Sequence, residues 1–248
     1  MTEVLETSQI STREIYYPSS SDNEEIIYPE QREDDMGETS IHAKLISSFL
    51  QMLLYFFHGR EDVFLSTNLN LYYEKGSPNK WYAPDILIAF GVPNHERTSY
   101  QIWKETVFPQ VIFEVVSDKT WDNDIGKKYK DYEQFGVEEY YILDPEFDFL
   151  PAPMLAFHRQ DERLLTALIA DDRIFSPRLG LEIVRTENTF RLFNPNTNKF
   201  LLTLEEAEVE KQKAEVEKQK FESRAIRAES ELERLKAEIE KLKSENKI

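Results

Sequence analysis

The spacing of apolar residues changes several times along the chain, and each change marks an element. In "ETSIHAKLISSFLQMLLYFF", residues 38–57, Ile41, Leu45, Ile46, Phe49, Leu53, Leu54 and Phe57 recur at steps of three and four. That spacing predicts an amphipathic helix. "VFLSTNLNLYY", Val63 to Tyr73, alternates as a strand does, "EKGSPNK" signals a turn, and "WYAPDILIAFG" reads as a second, more buried strand. A long polar loop leads to another apolar run, "VIFEVV", at 111–116. "TWDNDIGKKYKDYEQFG" then predicts a helix, with Asp122, Asn123 or Asp124 as capping residues at its start and Gly136 at its end. "EEYYILDP" is a further strand, "MLAFHRQ" and "LLTALIA" suggest a hairpin, and "GLEIVRT" and "TFRLFNP" add strand-like segments. Helix, strands, helix, strands is the order of an α/β fold, a mixed central β-sheet flanked by helices.

Both ends depart from this pattern. Residues 1–35 are polar and acidic and read as a flexible segment, which leaves 36–202 for the folded domain. In residues 203–248 the unit "AEVEKQK" at 207–213 repeats unchanged at 214–220. Beyond it Leu232, Leu235, Ile239 and Leu242 alternate steps of three and four, the seam of a coiled coil. Carried backwards, that register meets Phe221, Ala225 and Ala228, but also Lys211 and Lys218, so the seam is strong only near the C-terminus. A homo-oligomer assembled through residues 203–248 is expected; the other reading is a single solvated helix held by Glu–Lys pairs.

Charge narrows the choice of partners. The formal net charge is −17, and the first forty residues carry eleven acids against Arg13 and Arg32. A global positive field that steers nucleic acid is absent, so any contact with DNA needs a local basic patch. No cysteine is present, which removes disulfides, thiolate nucleophiles and thiolate metal sites. No apolar run of about 20 residues occurs and the first residues lack signal-peptide character, so neither a membrane span nor secretion is expected, and a cytoplasmic location is.

The candidate chemistry centres on Glu114, a carboxylate inside an apolar strand, where a charge is costly without a partner or a metal. Asp85, after Pro84, opens the strand "ILIAF". Two carboxylates on neighbouring strands, completed by a backbone carbonyl such as that of Val115, would suit a hard cation, Mg²⁺ or Mn²⁺. Alternatively Asp85 caps a turn and Glu114 makes a buried ion pair. Many metal-dependent nucleases place a lysine two residues after such a glutamate, but here that residue is Val116. On the next helix Asp124, Lys128 and Tyr132 are four apart and share one face. Lys128 is placed to bring an ammonium to Glu114, whereas Lys127 and Lys130 face elsewhere. The pair Asp124–Lys128 is also an ordinary helix stabiliser.

The series Pro84-Asp85, then Glu114-Val115 with Ser117, then Asp124, Lys128, Tyr132, Gly136, Val137, Glu139 and Tyr140, closing on Asp144-Pro145, resembles the Uma-two family of restriction-endonuclease-like proteins. The resemblance runs over about residues 36–200, with Tyr141 where the family usually has Trp and Asp118 where it often has Pro. It implies the PD-(D/E)xK nuclease fold, Asp85 and Glu114 as metal ligands, and a lysine moved from the strand to the helix, which Lys128 supplies. Catalytic Asp85, Glu114 and Lys128, metal ligands Asp85, Glu114 and Val115, and DNA as substrate follow as expectations. Glu38 and His42 are further candidates, read first as surface or core polar residues; Ser117, Tyr132 and Asp144 either shape the site or satisfy buried hydrogen bonds. The alternative function is a non-catalytic interaction module of nuclease fold, assembled through its coiled coil. A hydrolase of another phosphate ester is a third reading of the same residues.

Overall fold

The computed structural model describes residues 40–117, 120–187 and 189–245, with side chains through Lys241. The acidic segment 1–35 and Glu38 lie outside the described residues.

The first helix, α1 (Ser40–Phe56), buries Leu45, Ile46, Phe49, Met52 and Leu53 as its spacing requires. His42 lies on the same buried stripe. β1 (Val63–Ser66) follows, then β2 (Leu71–Tyr72), β3 (Trp81–Tyr82), β4 (Ile86–Phe90), β5 (Tyr100–Gln101), the short helix α2 (Ile102–Glu105) and β6 (Val111–Val115). The connection from β6 to β7 (Glu139–Leu143) contains a helical segment made of α3 (Trp121–Asn123), a π-helical turn at Asp124–Lys128, and α4 (Tyr129–Phe135). β8 (Met154–Gln160) and β9 (Arg163–Thr166) form the expected hairpin; β10 (Arg173–Ser176), β11 (Leu181–Arg185), β12 (Phe190–Asn194), β13 (Lys199–Phe200) and the long helix α5 (Leu204–Glu245) complete the order.

Three sheets result. The central one has the order β1-β4-β6-β7-β8-β9; a four-stranded sheet runs β10-β11-β12-β13, and a small one β3-β2-β5. The central sheet is mixed, with β6 and β7 parallel and the other neighbours antiparallel. This is the mixed α/β architecture that the pattern predicts. Both faces of β6 and β7 are covered, which is why their sequences read as almost continuous apolar runs. Val111, Phe113, Val115, Tyr141 and Leu143 pack with α1 and with Ile183, Phe190 and Leu192 of the four-stranded sheet. Ile112, Val116, Tyr140 and Ile142 pack on the opposite face with Tyr132 and Val137.

Two segments that read as single strands are divided. Val63–Tyr73 breaks at Asn68, whose φ of +51° lies in the left-handed region that asparagine tolerates better than most residues. The second half then pairs in the small sheet as β2. Trp81–Gly91 breaks at Pro84, which has no amide to donate to a ladder, so β3 and β4 belong to different sheets. The α4 helix ends as its glycine predicts: Gly136 adopts φ +88°, and the Val137 amide reaches back to the Tyr132 carbonyl at 3.0 Å. Among the described residues no helix is long and apolar enough to cross a membrane.

Candidate active site

Side chains alternate across a strand, so Glu114 projects from the same face of β6 as Ile112, toward α4 rather than toward α1. The antiparallel pairing of β4 with β6 sets Ile86 against Phe113. One residue further along that register Asp85 stands opposite Glu114, and its amide points at Glu114 Oε2 from 3.4 Å. The two carboxylates therefore come from adjacent strands at the point where β4 begins.

Each is held by several groups. Asp85 Oδ2 accepts a hydrogen bond from the Val115 amide at 2.6 Å, and His42 Nε2 lies 3.1 Å from the same oxygen. Glu114 Oε1 accepts from the Tyr132 hydroxyl at 3.0 Å and meets the Lys128 ammonium at 2.9 Å. That ammonium also lies 2.8 Å from Asp124 Oδ1. Lys128 thus bridges a carboxylate of the sheet and a carboxylate of its own helix. Glu114 and Asp124 are each 1 % exposed, and Asp85 and Lys128 each 8 %.

The π-helical turn is what carries Asp124 and Lys128 into this position. Both are buried, while Lys127 between them and Lys130 after them are exposed. A π-turn widens the helix by one residue and is found often at functional sites. Beneath it the Tyr140 hydroxyl donates to the Asp124 carbonyl at 3.0 Å. On the exposed side Lys127 donates to the Tyr82 hydroxyl at 2.6 Å.

Electrostatics follow from burial. Desolvation pushes the Glu114 carboxyl up to about 8, and the nearby Asp124 and Asp85 add to the rise against the pull of Lys128. Burial raises Asp124 in the same direction. Burial alone would lower Lys128, but Glu114, Asp124 and Asp85 together hold its ammonium above the ordinary lysine value. Desolvation likewise keeps the Tyr132 and Tyr140 hydroxyls protonated, and so available as donors. With its carboxyls ionised, the cluster of Asp85, Glu114, Asp124 and Lys128 carries two more negative than positive charges. A buried excess of that size is unfavourable unless protons or a cation offset it.

The donor set tests what could offset it. Asp85 and Glu114 offer only hard oxygen atoms, and the charge they leave equals that of one divalent cation, so the chemistry fits Mg²⁺ or Mn²⁺. Among the described residues no three His, Asp or Glu side chains are grouped to hold a metal, so a cation here would take its other ligands from backbone, water or substrate. Val115, expected to lend a carbonyl, meets Asp85 through its amide.

Several other residues take definite places. His42, read first as a surface or core polar residue, touches Asp85, and its position on the apolar stripe of α1 was the signal for this. Asp124, one of three possible capping residues and also the expected i,i+4 partner of Lys128, forms that ion pair and is buried. Ser117 bonds to Thr120 at the start of the helical connection, and the Thr120 side chain in turn bonds to the Asp124 carboxyl. Asp144 accepts the amides of Phe149 and Leu150 at 2.8 and 2.9 Å and so fixes the loop after β7.

One matching solved structure is that of "a putative nuclease belonging to DUF820" from Anabaena variabilis ATCC 29413, 12% identical, with 57% of this chain and 75% of that chain covered and a TM-score of 0.43. No curated protein matches the chain. Residues 33–148 match the family Uma2, described as "Putative restriction endonuclease". That span contains Asp85, Glu114, Asp124 and Lys128, and over it the chain is similar to the Uma2 family.

Proposed function

We propose that the domain is a divalent-metal-dependent nuclease that hydrolyses phosphodiester bonds in DNA. The observation that carries this reading is the Lys128 ammonium, 2.9 Å from Glu114 and 2.8 Å from Asp124, beside a second strand carboxylate at Asp85. One ammonium among three ionised carboxylates makes a site that lacks two positive charges, which one divalent cation supplies. Asp85 and Glu114 would hold Mg²⁺ or Mn²⁺, which when bound supplies Lewis-acid polarisation of the phosphate and lowers the pKa of water.

The chain's own residues do the rest. Lys128 orients the attacking water and offsets negative charge that grows on the phosphate oxygens. Asp124 keeps that ammonium charged and fixes its direction. Tyr132 orients Glu114, and His42 with the Val115 amide orients Asp85. Water oxygen bonds to phosphorus as the phosphorus–oxygen ester bond breaks, and the leaving oxygen takes a proton. The exposed Lys130, on the same helical segment, supplies local positive charge for the nucleic-acid backbone, while Lys127 is paired with Asp131 at 3.4 Å.

The test is plasmid nicking by the purified protein with Mg²⁺ or Mn²⁺. Cleavage that disappears in Glu114→Ala and in Lys128→Ala supports the reading; cleavage that survives both changes sinks it.

A further inference from the structure

Helix α5 starts from a capping box. The Thr203 hydroxyl oxygen accepts from the Glu206 amide at 3.3 Å, and Glu206 Oε2 accepts from the Thr203 amide at 3.0 Å. Arg191 of β12 clamps the same glutamate at 2.6 Å, so the first turn is fixed to the body. From Glu208 to Lys241, however, every residue is exposed. At 1.5 Å per residue that is about 50 Å of helix without tertiary support. Phe221 is 75 % exposed, and Leu232, Leu235 and Ile239 each about half. These four lie on one seam, with Ala225 and Ala228 between them.

Charges beside the seam differ between its two halves. In a parallel, in-register pair of such helices, a residue just before the seam faces the residue five positions later on the other copy. Arg224 then meets Glu229 of the second copy, and Glu231 meets Lys236, both opposite in sign. In the first half Glu210 meets Glu215 and Glu217 meets Glu222, both alike, and Lys211 and Lys218 occupy the seam itself. An antiparallel pair over the last half would set Glu231 against its own counterpart at the centre.

We propose that the distal half of α5, from Phe221 to Ile239, is the docking surface for a second copy of this chain, paired in parallel and in register while the proximal half stays apart. From Lys211 to Ile239 the seam carries leucine and isoleucine only where the flanking charges attract, and lysine only where they repel. Two catalytic bodies would then sit at the same end of the assembly on separate arms, each about 25 Å long from Leu204 to Phe221.

Sedimentation of the full chain between about 1 and about 100 µM tests the occupant, because assembly follows mass action. A concentration-dependent dimer is expected, and the double variant Leu232→Asp, Leu235→Asp should be monomeric with unchanged unfolding of the body. The chain has no cysteine, so single cysteines report orientation without background. Ala228→Cys should give a disulfide-linked dimer on oxidation, and Ala214→Cys, on the same seam in the proximal half, at least about tenfold less. Four results overturn the proposal: a monomer at every concentration, which leaves the seam to another protein or to solvent; a dimer that survives the Asp substitutions; a dimer that Ala228→Cys does not link; or equal linkage at 214 and 228.

Discussion

The chain makes the same kind of ion pair in two opposite settings. In the candidate active site Asp124 and Lys128, four residues apart on a helix, lie 2.8 Å from each other and are almost sealed from water. Along α5 acidic and basic side chains alternate at similar spacing on a helix that is exposed throughout. The residue types and the local geometry match, but the energetic consequences do not. An exposed pair exchanges one hydrated state for another and contributes at most a few tenths of a kcal/mol. A buried pair has lost its water, so each partner depends on the other, and removing one typically costs about 3–5 kcal/mol. Charge that weighs little on the solvated faces of α5 is therefore structural between β6 and α4.

The largest expected effect comes from breaking the buried side of this comparison. Lys128→Met should abolish nicking and destabilise the domain by about 3–5 kcal/mol, because Glu114 and Asp124 lose their cation. Chemical denaturation reads the stability and plasmid nicking the activity. A variant that keeps both would place the ammonium outside the site's chemistry.

Next is pH. The Glu114 carboxyl is raised from 4.5 to about 8 in the folded protein. A carboxyl raised on folding stabilises the fold below its unfolded value and loses that contribution as pH climbs through the folded value. In metal-free buffer the melting temperature should therefore fall as pH rises across this window, from 4.5 to about 8. Magnesium should flatten the slope by pairing the ionised form, and Glu114→Gln should reduce it to the part that Asp124, raised in the same direction, contributes. A metal-free profile that rises over the window would contradict the burial of Glu114 as an ionisable group.

Tyr132→Phe should be milder. It deletes one hydroxyl donor to Glu114 and keeps the ring that packs among Tyr82, Phe108 and Tyr140. A loss of about 1–2 kcal/mol is expected, with slower nicking but the same metal requirement. Unchanged stability would show that water replaces the hydroxyl. Smallest of all is Lys213→Ala on the exposed α5 surface, which should leave the melting temperature and the nicking rate where they were; a clear drop would mean that this part of the helix is not solvated.

Much of the site was legible because its residues break local patterns. Glu114 interrupts an apolar run, Asp85 follows a proline at a strand start, and Lys128 lies one turn from Asp124 and one from Tyr132. His42 was visible in the same way, as a polar residue at a buried position of an apolar stripe, yet its spacing alone gave no reason to connect it with Asp85, forty-three residues away. The π-turn left no trace in the spacing, because Asp124, Lys128 and Tyr132 are four apart, as on the face of an ordinary α-helix. The divided strands failed for a different reason: alternation continues through Asn68 and Pro84, and only the backbone there, a positive φ and a missing amide, sends the two halves to different sheets.

The sequence by itself determined the elements: the amphipathic α1, the buried strands β6 and β7, the glycine-ended α4, the long α5, and the short list of charges out of place. Local periodicity and composition are enough for these because each depends on neighbours along the chain. Tertiary structure decided which charges meet. The antiparallel register of β4 on β6 sets Asp85 opposite Glu114, and the alternation of the strand turns Glu114 toward the helix that carries Lys128. Those contacts join residues 29 and 14 positions apart in sequence, and no local rule fixes a contact that only the packing of two layers can make.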